Sequence, residues 1–139
     1  MPFVVDASVV GAWLLPDEDN TLADETMARM ADDDAWAPDL LTHEIRSILL
    51  SAERRGRIST DLIYSALTRL RALPLRLSGP GDDTEVIRLS RQYQLSAYDA
   101  AYLALAVLEQ LSLATLDRKL AAAARKESVP VLGPFAHGD

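Results

Sequence analysis

Phe3-Val4-Val5-Asp6-Ala7-Ser8 is the stretch that decides the fold. Three apolar residues in a row, two of them β-branched, read as a short strand covered on both faces, as strands of parallel sheets are. An acid closes the run, and Ala7 to Leu15 then carries a helical pattern that Pro16 stops. A buried strand feeding directly into a helix opens an α/β unit.

Working outward, the same alternation recurs. Thr21 to Met30 reads as a helix with Leu22, Met27 and Met30 on its apolar side, and Ala35-Trp36-Ala37 as a short strand halted by Pro38. Leu40 to Arg55 is the clearest helix: Leu41, Ile45, Ile48, Leu49 and Ala52 form its core stripe, Asp39 suits its N-cap, and Gly56 suits the left-handed position beyond its end. Ser59 to Ala72 is helical, Leu73 to Leu77 alternates like a strand, and Ser78-Gly79-Pro80-Gly81 is a turn. Asp82 to Tyr93 and Ala97 to Leu111 are helices. The stretch Ala100 to Leu108 is apolar almost all round, which places it at the centre of the fold. Leu113 to Leu116, Arg118 to Lys126 and Val129 to Leu132 then read as strand, helix and strand. The pattern predicts one α/β domain over residues 1–139, with a parallel sheet between two helical layers.

The 139 residues suffice for a proper core without disulfides. The absence of cysteine excludes a thiolate metal site and a cysteine nucleophile, and two histidines, His43 and His137, make a multi-histidine zinc site implausible. The first residues lack a basic leader, and no apolar run approaches the roughly 20 residues that span a bilayer. A cytoplasmic protein without membrane contact is the expectation. The net charge of −7 argues against a general nucleic-acid binder, yet basic residues cluster at Arg54, Arg55 and Arg57, and again at Arg118, Lys119, Arg125 and Lys126. Solvated helix ends are the plain reading of both clusters.

Four acids sit where charge is poorly tolerated. Asp6 and Asp117 each follow a strand, and ligands of parallel sheets bind beyond the carboxyl ends of the strands. Glu44 lies three after Leu41 and four before Ile48, on or beside the core stripe, while His43 and Arg46 face solvent. Asp99 opens the apolar helix. Each has an ordinary structural reading: Asp6 and Asp117 as helix caps, Ser96-Ala97-Tyr98-Asp99 as a capping box, Glu44 as a boundary residue paired with an arginine. By contrast, Asp17-Glu18-Asp19 and Asp32-Asp33-Asp34 mark loops. Gathered together, the four would repel by about 4 kcal/mol per pair at roughly 4 Å and an effective dielectric near 20. No obvious cation stands beside each one, so a hard divalent ion is the natural counter-charge.

The stretches Val4-Val5-Asp6-Ala7-Ser8, Ala37 to Ile45, Leu95 to Ala106 and Ala114 to Leu120 together resemble the PIN-domain nucleases, in particular the VapC toxins of bacterial toxin–antitoxin pairs. Their order covers nearly the whole chain. The resemblance implies a PIN-like three-layer α/β/α domain with a central parallel sheet of four to five strands. It further implies an endoribonuclease dependent on Mg²⁺ or Mn²⁺, cleaving structured RNA (tRNA or rRNA) and inhibiting translation until a VapB-type antitoxin binds. A homodimer is implied as well. By position, Asp6, Glu44, Asp99 and Asp117 are the acidic quartet, catalytic and metal-binding, and Ser8 and Thr115 are its supporting hydroxyls. Ser47 departs from the asparagine common in the family three residues after the glutamate.

On this reading Asp6 and Asp99 touch the ion directly, while Glu44 and Asp117 bind directly, through water, or at a second ion. Arg54, Arg55, Arg57, Arg118 and Lys119 are candidate contacts to the RNA backbone. Tyr98 is expected to pack in the core, with stacking on a base as the alternative. Two rivals stand beside the nuclease. A phosphoryl-accepting receiver domain fits poorly, because Glu44 is inside a helix and the last strand ends without lysine. A catalytically inactive PIN-like regulatory module keeps the fold and leaves the intact quartet unexplained.

Overall fold

The computed structural model describes residues 1–17 and 21–138. Of the acidic stretch Asp17-Glu18-Asp19, positions 18 and 19 therefore lie outside the described residues. Strands β1 (Phe3–Val5), β2 (Ala35–Pro38), β3 (Leu75–Ser78), β4 (Ser112–Ala114) and β5 (Val131–Leu132) form one sheet in the order β3-β2-β1-β4-β5. Every neighbouring pair is parallel, and central β1 registers Val4 against Trp36 on one side and Leu113 on the other. Phe3, Val4 and Val5 are essentially inaccessible, as a strand covered on both faces requires.

Helices α1 (Ala7–Leu14) and α2 (Thr21–Ala28), the latter followed by a 3₁₀ turn at Arg29–Ala31, join β1 to β2; α3 (Leu40–Arg54) and α4 (Thr60–Ala72) join β2 to β3. The chain then reverses direction across the sheet. Helices α5 (Asp83–Tyr93) and α6 (Ala97–Glu109) carry it back to β4, and α7 (Arg118–Lys126) leads on to β5. Right-handed crossovers running in opposite directions put the two groups of helices on opposite faces. Accordingly α6 lies against β1, β2 and β4 with α5 and α7 beside it, while α3 packs on β2 with α1 and α4 as neighbours. The expected three layers are present, and the reversal falls between β1 and β4.

Helix packing follows the stripes. Leu41, Ile45, Leu49 and Ala52 of α3 are buried, with Ile48 part-buried against α1. There Gly11 admits a close approach: a side-chain carbon on it would stand 3.1 Å from Ile48 Cδ1. In α6, Ala100 to Ala104 and Ala106 are buried, but Leu108 is exposed, so the all-round burial read from the sequence ends one turn early. Likewise α2 buries Ala23, Thr26 and Met27 and leaves Leu22 exposed.

Several boundaries also differ: β3 runs Leu75–Ser78, taking in a residue read as turn, and β5 begins at Val131 and not at Val129. Gln110 takes a left-handed conformation that stops α6 at Glu109, short of Leu111. The β4 ladder ends at Ala114, which frees residues 115–117 to form a loop. Asp39 holds the N-cap position of α3 without capping it: its backbone is helical, its side chain makes no cap hydrogen bond, and its N–H donates to the Ser78 carbonyl at 2.8 Å. The chain turns off β2 into α3 without an extended residue between them. The acidic run Asp32-Asp33-Asp34 lies in a turn, where Asp33 pairs with the Met1 ammonium. Among the described residues, no helix is long and apolar enough to cross a membrane.

Candidate metal and nucleic-acid site

Asp6 leaves β1 at the reversal point and is only 4% exposed. Its Oδ1 accepts the Val9 N–H at 3.2 Å, which makes it the N-cap of α1, and also the Ser8 hydroxyl at 2.6 Å. Its Oδ2 accepts the Thr115 hydroxyl. Each hydroxyl works twice. Ser8 Oγ accepts the Leu116 N–H at 2.9 Å, and Thr115 Oγ1 accepts the Asp117 N–H at 3.0 Å. The two side chains thus staple the end of β1 to the loop after β4.

Asp117 caps α7 through Oδ1, which accepts the Leu120 N–H at 2.9 Å, and Oδ2 has no donor among the described residues. Asp99 sits in the first turn of α6, where Ser96 caps the helix by accepting the Asp99 N–H. Only that half of the capping box forms a bond of good geometry. Glu44 projects from α3 at the edge of the core stripe, and its Oε1 is buried without a hydrogen-bond partner. No arginine pairs with it. The capping readings of Asp6 and Asp117 are therefore correct, and each cap uses only part of its carboxylate.

Electrostatics bind the four together. Burial lifts the Asp6 carboxyl to about 6; its hydrogen bonds oppose the rise and the Asp99 charge adds to it. Glu44 is raised by burial, with Tyr102 opposing and Asp99 adding. Asp99 is raised by burial and then by Asp117, against the pull of Ser96 and Lys119. The chain from Asp117 to Asp99 to both Asp6 and Glu44 is a connected cluster of like charge.

This cluster fits a divalent cation in its charge, its oxygen donors and the orphaned Glu44 oxygen. Among the described residues, no three carboxylates close into a ready-made cage. An ion that keeps several waters needs only one or two direct carboxylates, so the open arrangement suits magnesium better than a fully dehydrated ion.

The basic residues divide. Lys119 carries charge toward Asp99 while its Nζ donates to the Gln94 carbonyl at 2.6 Å, so one acid does have a cation nearby. Arg118 stacks on Phe135. Arg57 makes a two-pronged ion pair with Asp17, and Arg54 and Arg55 are exposed at the end of α3. Arg55 and Arg57 line a cleft of about 630 Å³ that also contains Glu44.

The same cleft corrects one reading: Tyr98 is 63% exposed there instead of packed in the core, while His43 is solvent-exposed as read and also lines the cleft. Ser47 lines it too. Two further contributors escaped the sequence reading. Tyr102 is buried with its hydroxyl unpartnered beside Glu44, the two groups meeting outside good hydrogen-bond geometry, and its ionisation is strongly opposed by burial and then by Glu44. Gly133, at φ +117, presses on the site loop so closely that a side-chain carbon there would stand 2.7 Å from the Thr115 carbonyl oxygen. Its signal was a lone glycine after the last strand; a tyrosine inside an apolar helix gave none.

With this geometry established, comparison with known proteins places the chain. The PIN domain family matches it over residues 3–126. Ribonuclease VapC3 of Pyrobaculum aerophilum is 31% identical over 129 residues, covering 87% of this chain and 93% of that protein. Two solved structures share the fold: a toxin–antitoxin complex from Klebsiella pneumoniae (TM-score 0.64, 18% identity, 96% of this chain and 98% of the other) and FitAcB from Neisseria gonorrhoeae (TM-score 0.65, 17% identity, 97% and 99%).

Proposed function

This chain belongs to the PIN-domain family, and we propose that it is a single-domain, metal-dependent endoribonuclease, the toxin of a VapBC-type toxin–antitoxin pair. The observation that carries the reading is the acidic cluster: Asp6, Glu44 and Asp99 all hold carboxyls raised first by burial and then by one another's or Asp117's charge, and Lys119 acts on Asp99. Raised carboxyls grouped beside a cleft mark a candidate functional site, and a bound cation would offset both their burial and their mutual repulsion. Similarity to a ribonuclease over 87% of the chain supports RNA as the substrate, and the likeness to a toxin–antitoxin complex supports an antitoxin as partner. The proposed assembly is a homodimer silenced by a VapB-type antitoxin.

The residues divide the work. When bound, Mg²⁺ or Mn²⁺ supplies charge relief at the phosphate and lowers the pKa of an attached water. Asp6 and Asp99 would hold the ion, Asp6 fixed in orientation by Val9, Ser8 and Thr115. Glu44 and Asp117 each keep an oxygen without a donor and would accept protons from ordered water. Arg54, Arg55, Arg57, Arg118 and Lys119 would meet phosphates flanking the cut, in structured tRNA or rRNA whose cleavage stops translation.

The test is direct. Protein freed of antitoxin should cut total tRNA or rRNA with Mg²⁺ or Mn²⁺, and lose that activity on chelation or in Asp6→Ala and Asp99→Asn. Folded wild-type protein that leaves both RNA pools intact with either metal would overturn the reading.

A further inference from the structure

Tyr98 is an exposed aromatic ring at the edge of a buried acidic site, and the first turn of α6 holds it there. Ser96 caps that turn, so the backbone carrying the ring is fixed. The ring is 63% exposed, and its hydroxyl makes no hydrogen bond among the described residues. It lines the cleft with Glu44, whose floor is the apolar set Leu15, Leu40, Ile48 and Ala52. At the rim stands Arg55, which has no acidic partner among the described residues. Tyr98 directly precedes Asp99 in the first turn of α6, and of the four acids Glu44 shares the cleft with the ring.

Resting on the endoribonuclease reading, we infer that Tyr98 is the stacking platform for the base next to the scissile phosphate. The cleft has an aromatic wall, an apolar floor and a cation at its mouth, which complements an unstacked base trailing its phosphate. An apolar protein side chain would use the floor and leave Arg55 without a counter-charge. The base seated in the cleft sets which phosphate reaches the carboxylates, so Tyr98 selects the cut position as well as adding affinity.

The experiment is a double-substitution cycle on an oligoribonucleotide containing the cut site mapped for the wild type. Tyr98→Ala should raise KM roughly 5- to 150-fold, the range of one base–aromatic stack, and Tyr98→Phe should restore it. Removing the base beside the cut, as an abasic nucleotide, should impair the wild type similarly and leave Tyr98→Ala no worse. Thermal stabilisation by Mn²⁺ should be unchanged in Tyr98→Ala, which separates a lost stack from a damaged fold. Additive losses from the two changes, or a Tyr98→Ala enzyme within twofold of wild type, would overturn the inference. So would a variant that cleaves normally and fails only to bind a protein inhibitor. A wild type that cleaves no RNA would instead strike the nuclease reading itself.

Discussion

At the scale of single residues, Asp6 shows how a site can oppose its own fold. Its carboxyl is about 6 in the folded protein against 3.8 as the ordinary value. Between those values the folded state binds more protons than the unfolded chain. Metal-free stability therefore falls as pH rises through that window, the reverse of a salt-bridged aspartate. A cation competes with those protons, so Mn²⁺ should raise the melting temperature more at about pH 7 than at about pH 5; a shift that is flat across this range would contradict it. Asp99 is raised by burial and then by Asp117. Asp99→Asn should accordingly raise the metal-free melting temperature, read by calorimetry, while removing activity. A variant that melts below wild type without metal would show that the cluster is not under repulsion. The four candidate acids could be picked out in the sequence, Asp6 and Asp117 because each follows an apolar strand, Glu44 and Asp99 because each lies beside or at the start of an apolar helical stripe. The exposure of Tyr98 could not, since periodicity gives the face of a helix but not where the sheet beneath it stops.

At the scale of elements, the caps separate what pattern reveals from what topology decides. Ser59 and Asp39 look alike in sequence, each preceding a helical stripe. Ser59 is extended and accepts the Leu62 N–H, whereas Asp39 is already helical because β2 runs straight into α3 and the Asp39 N–H is taken by Ser78. Ser59→Ala should cost about 1 kcal/mol in urea denaturation. Asp39→Ala should stay within about 0.5 kcal/mol, and equal losses would refute the distinction. Gly133 couples the last strand to the site loop through the Thr115 backbone. Gly133→Ala should lower the melting temperature and weaken Mn²⁺ binding together, since its side chain must displace the loop that Thr115 ties to Asp6; loss of stability with unchanged Mn²⁺ affinity would uncouple the two. No alignment of local pattern could show this contact, which joins positions far apart in the chain.

At the scale of the whole molecule, the order of strands does most to make the site. Two βα units run one way from β1 and the chain then crosses back, which opens the crevice between β1 and β4 where Asp6 and Asp117 emerge. The alternation of strands and helices made the sheet and its parallel sense readable. The strand order was not readable, because short apolar strands carry no mark of their neighbours. The same scale bears on the proposed RNA substrate. A chain of net charge −7 would repel a polyanion, so on the proposed function attraction would have to be local, through a bound cation and the arginines at the cleft. The most direct measurement of the central claim is calorimetric titration of Mn²⁺ into the antitoxin-free protein. The account predicts saturable binding in the wild type that is lost in both Asp6→Asn and Asp99→Asn while each stays folded. Absence of saturable binding to folded wild type, or variants that bind as tightly as wild type, would contradict it.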